Sequence, residues 1–265
     1  MKGYEVPEYG RAAQGIPIIN LLGINNKEKI SAVINVSHET NDDDKYLFFT
    51  TKLGTVKRTA VTEFKNIRSN GLKALNLHEN DELIDVEVIS EDQPMIIGTH
   101  NGYALSFKSS VVRSMGRSAA GVRGIRLRDE DYVIGAAPLN PDSKVLVISE
   151  NGFGKQTPAS EYPIKGRGGL GVKTVNVTAK NGPLVGLTTV NGDEDIMLVT
   201  DQGVIIRFDI ESVSQTGRSA VGVHLIKMDN GARVATIAKV DKEVDEETEE
   251  ATNNSSQEES QPTEN

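Results

Sequence analysis

Short runs of Val, Ile, Leu and Thr, each closed by a turn residue, recur from about residue 16 to residue 240. No apolar spacing of 3.6 residues is sustained along them, so they predict β-strands rather than helices. One stretch shows the order most plainly: residues 82–89, 95–99, 103–107 and 122–127 read as strands one to four of a unit. Strand one recurs at 30–36, 133–139, 184–190 and 234–240, and strand four at 16–21, 72–77, 172–177 and 223–228. Between strands two and three lie Asn101-Gly102 and Asn151-Gly152, which predict two-residue hairpin turns; Leu53-Gly54 and Gln202-Gly203 are looser versions.

The period is carried by two series of glycines. Gly54, Gly102, Gly152 and Gly203 are spaced by 48, 50 and 51 residues. Gly15, Gly71, Gly121, Gly171 and Gly222 form a second series in the same phase. Gly116-Arg-Ser-Ala-Ala-Gly-Val122 nearly repeats as Gly217-Arg-Ser-Ala-Val-Gly-Val223. Four strands per repeat, stacked so that each hides its faces on its neighbours, predict an all-β, propeller-like β-pinwheel over residues 1–240. Four complete units are expected, flanked by a lone strand four at the start and a lone strand one at the end. A ring does not begin in mid-blade, so the chain reads as an N-terminally truncated piece.

Charge changes the picture only once it is divided. The 265 residues carry −9, but residues 241–265 hold ten of the 38 acids and one of the 29 bases. The body is therefore balanced at 28 and 28. The acidic end, without aromatics and rich in Ser, Thr, Asn and Gln, is expected to be a disordered tail. With no Cys, a disulfide framework, a thiolate metal site and a Cys nucleophile are excluded. No apolar run has spanning length and the first residues are not those of a signal peptide, which predicts a cytoplasmic protein without a membrane partner.

The recurring polar feature precedes strand four: Arg, three residues, then Gly. It occurs at Arg11, Arg117, Arg167 and Arg218, with a shortened version at Arg68. Lys165 precedes one copy. Further bases follow in or near strand four at Lys73, Arg123, Arg126, Lys173 and Lys227. Others close strand three at Lys57, Arg58, Lys108, Lys155 and Arg207. Bases repeated at one point of each blade would form a belt for the phosphates of duplex DNA, bound through counterion release without sequence readout. Arginines that only pair with acids or anchor loops are the competing reading.

Other patterns carry less. Gly166, Gly168 and Gly171 satisfy a G-x-G-x-x-G spacing, but they follow Tyr162-Pro163 and precede a strand, where a dinucleotide site needs strand, turn and helix. His38, His78, His100 and His224 are scattered without metal-ligand spacing, and the acids at 42–44 and 193–195 fall in loops. Neither catalytic residues nor metal ligands are expected. Phe64 and Tyr162 share a repeat position with Val112 and Val213, which predicts core packing rather than base stacking.

Several segments together carry a resemblance: Tyr4-Glu-Val-Pro-Glu8, Ile16-Pro-Ile-Ile-Asn-Leu-Leu22, Gly54-Thr-Val-Lys-Arg58, Gly121-Val-Arg-Gly-Ile-Arg126 and Ser214-Gln-Thr-Gly-Arg218. They resemble the C-terminal domains of the DNA-cleaving subunits of bacterial type IIA topoisomerases, those of gyrase above those of topoisomerase IV. The resemblance implies a six-bladed pinwheel that wraps duplex DNA on a basic rim and thereby directs strand passage toward negative supercoiling. It implies as partners the remainder of the DNA-cleaving gyrase subunit and the separate ATPase subunit of gyrase, and a bacterial, nucleoid-associated location. It also implies that ATP and Mg act on other domains, with no cofactor and no catalysis in this piece. The glycine-rich box of that family, Gln-Arg-Arg-Gly-Gly-Lys-Gly, is absent; Arg167-Gly-Gly-Leu-Gly171 has its shape in a later repeat, with Leu170 in place of a base. A propeller-like scaffold for protein partners is the reading from another class.

Overall fold

The computed structural model describes residues 6–10, 13, 14, 16, 17, 20, 44–65, 72–228 and 231–242. The strands expected at 16–21 (in part) and 30–36, Arg11, Arg68 and the acidic tail beyond residue 242 lie outside them. Fifteen strands follow in chain order among the described residues. They are β1 (Lys45–Thr51), β2 (Thr55–Ala60), β3 (Leu83–Ser90), β4 (Pro94–Thr99), β5 (Tyr103–Lys108), β6 (Val122–Arg123), β7 (Val133–Pro138) and β8 (Lys144–Ser149). Then come β9 (Phe153–Pro158), β10 (Val172–Lys173), β11 (Leu184–Val190), β12 (Glu194–Thr200), β13 (Ile205–Asp209), β14 (Val223–His224) and β15 (Val234–Asp241). Among the described residues from 45 onward, single 3-10 turns interrupt the strand pattern at Val61–Phe64, Ser109–Val111, Ala159–Glu161 and Ile210–Ser212.

The sheets are antiparallel, as an all-β repeat predicts, but their cut differs from the repeat's. Three four-stranded sheets have the orders β3-β1-β2-β6, β10-β5-β4-β7 and β11-β8-β9-β14; the last, β13-β12-β15, has three strands among the described residues. Strand one of each sequence unit pairs back onto the preceding hairpin, as β3 does on β1. Strand four does the same, as β6 does on β2. Each repeat thus gives two strands to each of two blades and ties them covalently. A period of about 50 residues cannot distinguish this exchange from a self-contained blade, because both have the same spacing.

The central strands explain the continuous apolar runs. On β4, Met95 and Ile97 pack with Phe48, Val56 and Ile89 of the first sheet. Ile96 points the other way, into Val145, Val147 and Leu184 of the third. On β8 the same division sends Leu146 and Ile148 to Ile196 and Leu198 of the fourth sheet. A strand buried on both faces must be apolar at consecutive positions, and each such side chain contributes roughly 1.5–3 kcal/mol. The strands β3, β7, β11 and β15 contact one another in series. They form the inner edges of the sheets and leave β6, β10 and β14 on the outer edges. Gly135 permits one of these close approaches, since a Cβ there would stand 2.6 Å from the Leu187 carbonyl oxygen.

The four hairpin turns among the described residues are built alike, and not as two-residue loops. The glycine amides donate to the carbonyls of Thr51, Thr99, Ser149 and Thr200, each at 3.0 Å. The hydroxyls of these residues accept from the amides of Thr55, Tyr103, Phe153 and Val204 at 3.1–3.3 Å. Only the glycine has positive φ, +81, +83, +77 and +80° at Gly54, Gly102, Gly152 and Gly203. A type I turn closed by a left-handed glycine asks nothing special of the residue before it. Leu53 and Gln202 therefore serve as well as Asn101 and Asn151.

Candidate nucleic-acid interface

The two-residue fourth strands put a cation at the same outer position of successive repeats. Arg123 is paired with Thr55, and Lys173 with Tyr103. Lys73, one repeat earlier, and Arg126 and Lys227, three residues beyond β6 and β14, are exposed too. His224 takes the place in the last repeat, paired with Phe153 and with its ring 4.1 Å from that residue's. A strand two residues long, pleated against a hairpin edge, points the second side chain away from the sheet's packed face.

The loops before these strands are held from the neighbouring blade. Arg167 Nη1 donates to the Arg123 carbonyl at 3.0 Å, and Arg218 Nη1 to the Lys173 carbonyl at 3.3 Å. Parallel bridges Ser106–Ile164 and Gln156–Gln215 seat the preceding residues on strand three. Lys165 and Arg167 are exposed, while Arg117 and Arg218 are half-buried. Arg167 Nε also donates to the Val111 carbonyl at 3.4 Å; a guanidinium has five N–H donors, so these carbonyl bonds leave donors for an anion. Loop anchoring and anion contact are compatible in these arginines.

Among the bases that close strand three, burial corrects the expected place of Lys57, Arg58 and Lys155 on the belt. Lys57 and Lys155 have no exposed surface. Lys57 Nζ donates to the carbonyls of Ala74 and Arg117, both at 2.5 Å. Lys155 Nζ donates to those of Gly217 and Arg218, also at 2.5 Å. Burial, with the Arg117 charge, brings Lys57 down to about 8. Burial likewise brings Lys155 to about 8, opposed by Glu161 and reinforced by Arg218. Arg58 is buried as well, its guanidinium 4.3 Å over the Tyr46 ring and donating to the Glu91 carbonyl at 2.8 Å. Arg207 pairs with Asp195 at 2.7 Å and donates to the Asp241 carbonyl. Lys108 pairs with Asp92 at 2.6 Å. Lys57, Arg58 and Lys155 thus hold the loops and edges from inside, whereas Lys108 and Arg207 are exposed and held in ion pairs.

Some cations escaped the repeat argument because they do not repeat. Lys180 and Arg233, with the expected Lys227, surround Phe153 and His224 in an open pocket of about 390 Å3; Arg233 also meets Glu150 at 3.2 Å. Arg128 stacks on Tyr103 at 3.4 Å. The expected core positions Tyr162, Val112 and Val213 are buried, with the Tyr162 hydroxyl bonded to that of Thr174 at 2.5 Å. Phe64 is half-buried, 6.4 Å from Phe49. Among the described residues no group of three His, Cys, Asp or Glu side chains could hold a metal, and no helix is long and apolar enough to cross a membrane.

Stacked sheets that exchange strands around a common inner side define a propeller-like repeat domain. The chain belongs to the DNA gyrase C-terminal domain family, a beta-propeller, which matches residues 1–37, 45–90, 93–140, 143–191 and 194–241. It is 61% identical over 240 residues to the DNA gyrase A protein of Streptococcus pneumoniae, and 59% identical over 243 residues to that of Halalkalibacterium halodurans. These alignments cover 91% and 92% of the chain and 29% of each relative, so the chain spans under a third of their length. Among solved structures it is similar to a DNA gyrase A C-terminal domain, with TM-score 0.76 and 28% identity over 86% of this chain and 76% of that one. It is also similar to the C-terminal domain of DNA topoisomerase IV, with TM-score 0.79 and 26% identity over 92% and 76%.

Proposed function

We propose that this domain binds duplex DNA without sequence preference and bends it along its outer edge. The duplex would be held by Lys73, Arg123, Lys173, Lys165, Arg167, Arg117 and Arg218, with Arg126 and Lys227 extending the row. In this reading the domain is the non-catalytic DNA-wrapping part of a type IIA topoisomerase. The remainder of the DNA-cleaving gyrase subunit supplies cleavage, and the separate gyrase ATPase supplies ATP hydrolysis. Membership in the gyrase family supports it. The observation that carries it is the exposed cation at one outer position of successive repeats, on a body whose charges otherwise balance. Bending 20–30 base pairs costs about 1–6 kcal/mol, which several simultaneous phosphate contacts can offset.

The test is a salt titration of binding to two duplexes of unrelated sequence, with plasmid closed by ligase in the presence of the domain. Equal affinities, a loss of about 0.9 logarithmic units of affinity per logarithmic unit of salt for each phosphate neutralised, and a shifted linking number support wrapping. Salt-insensitive binding, or binding without a linking-number shift, sinks it. The carbonyl bonds of Arg167 and Arg218 favour a second reading, a protein-interaction scaffold, under which duplex binding would be absent.

A further inference from the structure

We propose that the pocket beside β14, lined by Phe153, His224, Lys180, Lys227 and Arg233, is a phosphate site, and that the bound duplex there leaves the outer row for the side of the hairpin turns. The inference rests on the DNA binding proposed above and specifies the path of the duplex at the third outer strand.

The outer row changes character at that strand. Arg123 and Lys173 stand opposite Thr55 and Tyr103, the residues that follow the turn glycines Gly54 and Gly102. In the next sheet the same position, opposite Phe153, is held by His224. Its ring lies 4.1 Å from that of Phe153, and its Nδ1 stands 2.8 Å from the Ile226 carbonyl oxygen. Where the Lys or Arg of the row gives way to a ring, three other cations gather beside it. Lys227, three residues beyond His224, extends the row and also lines the pocket with Lys180 and Arg233. The pocket is therefore continuous with the row.

Lys180 and Arg233 come from different connections, β10 to β11 and β14 to β15, and the backbone of each is fixed. The Lys180 carbonyl accepts from Asn151 Nδ2 at 3.1 Å. The neighbouring Asn181 is wholly buried; its side chain donates to the Asn176 carbonyl at 3.1 Å and accepts from the Thr178 amide at 2.7 Å. The Arg233 amide donates to Asp201 Oδ1 at 3.0 Å, and the Asp201 amide to the Arg233 carbonyl at 2.9 Å. Both side chains are exposed. Lys180 Nζ is 5.5 Å from the centre of the Phe153 ring, a contact that steadies an ammonium without neutralising it. Arg233 Nη1 meets Glu150 at 3.2 Å, and the guanidinium has further donors for an anion. Cations set around a low-dielectric wall of rings focus their potential into the cleft between them, and the anion a duplex presents is its backbone phosphate. Glu150 and Asn151 belong to the turn between β8 and β9, so a duplex seated here is displaced toward the turns.

The chain has no Cys, so a single introduced thiol reports on one place. An azidophenacyl group on the Ala232→Cys variant stands in the pocket wall; on the Ser110→Cys variant it stands at the far end of β5, beside Asp92. Irradiation with bound duplex should cross-link the first and not the second. Replacing Lys180 and Arg233 together by Ala should weaken duplex binding about 5- to 20-fold at low salt and lower the salt slope by close to two increments of about 0.9. A control pair, Lys108→Ala with Lys242→Ala, removes the same charge from ion pairs with Asp92 and Asp209 and should do neither. Each variant is first shown to melt as the unaltered chain does. If the unaltered chain does not bind duplex, the proposed function falls and this path with it. If it binds, and loses affinity when Lys73, Arg123 and Lys173 are replaced, but the pocket pair keeps full affinity and slope, the path alone is overturned. Equal losses from the two pairs, or no cross-link from position 232, overturn it as well.

Discussion

Lys155 and Lys173 lie 18 residues apart, and each recurs near one place of the repeat, yet they do opposite things. Lys173 is exposed on the outer strand β10. Lys155 has no exposed surface and spends its ammonium on two loop carbonyls. The contrast divides the basic residues of this fold into an outer row that can meet a phosphate and an inner set that holds the loops carrying that row. A charge count over the repeat treats the two alike; only the pleat of the strand separates them.

The largest effect should come from the outer row. Replacing Lys73, Arg123 and Lys173 together by Ala should weaken duplex binding by about 10- to 100-fold at low salt and leave the melting temperature unchanged, as fluorescence anisotropy and calorimetry would report. Equal binding would remove the row from the interface. Removing an inner cation should act through the loop alone. Lys155→Met should speed amide exchange in residues 214–222 and cost about two- to fivefold in affinity, the scale of one net hydrogen bond. Leu105, which stands at the same repeat position in the second sheet and is buried, indicates that an apolar side chain fits there.

A third prediction concerns the inner side, far from either set. Burial and the neighbouring Asp85 carboxylate push Glu87 on β3 up to about 7, against the pull of Lys239. A carboxyl raised on folding binds more protons folded than unfolded between about 4.5 and 7, so it subtracts stability as pH rises through that window. Glu87→Gln should therefore raise Tm by a few degrees at pH 8 and leave it unchanged near pH 4. A gain at the lower pH alone would reverse the argument. The smallest effect is expected from the acidic end. Deleting residues 243–265 should raise duplex affinity by a factor of about 2–3 at low salt, by removing a tethered competitor for the same cations. The gain should shrink as screening shortens.

Much of this was legible in the chain itself. The two glycine series gave the period, the strand class and the place of the four described hairpins, because a left-handed turn residue leaves a mark that side-chain substitution does not erase. The exchange of strands between blades was not legible, since spacing is blind to which hairpin a strand pairs with. The inward course of Lys57 and Lys155 had a signal that charge obscured. They stand three residues after Gly54 and Gly152, where the other repeats have Leu105 and Ile206. A position shared by Lys and branched aliphatics marks a side chain whose stem is buried. The outer row was legible because the dipeptides of Val and a base repeat, while Lys180 and Arg233 were missed because they occur once.

The division between outer and inner cations is tested most directly by the slope of log affinity against log salt. It should be measured on one duplex for the unaltered chain, for the Lys73, Arg123 and Lys173 triple Ala variant, and for the double variant Lys57→Met and Lys155→Met. Each phosphate contact contributes about 0.9 to the slope. The triple variant should lose close to three such increments, and the double variant none despite its weaker binding. Equal slopes for the triple variant and the unaltered chain, or a slope reduced by the inner pair, would contradict the assignment of phosphate contact to the outer row.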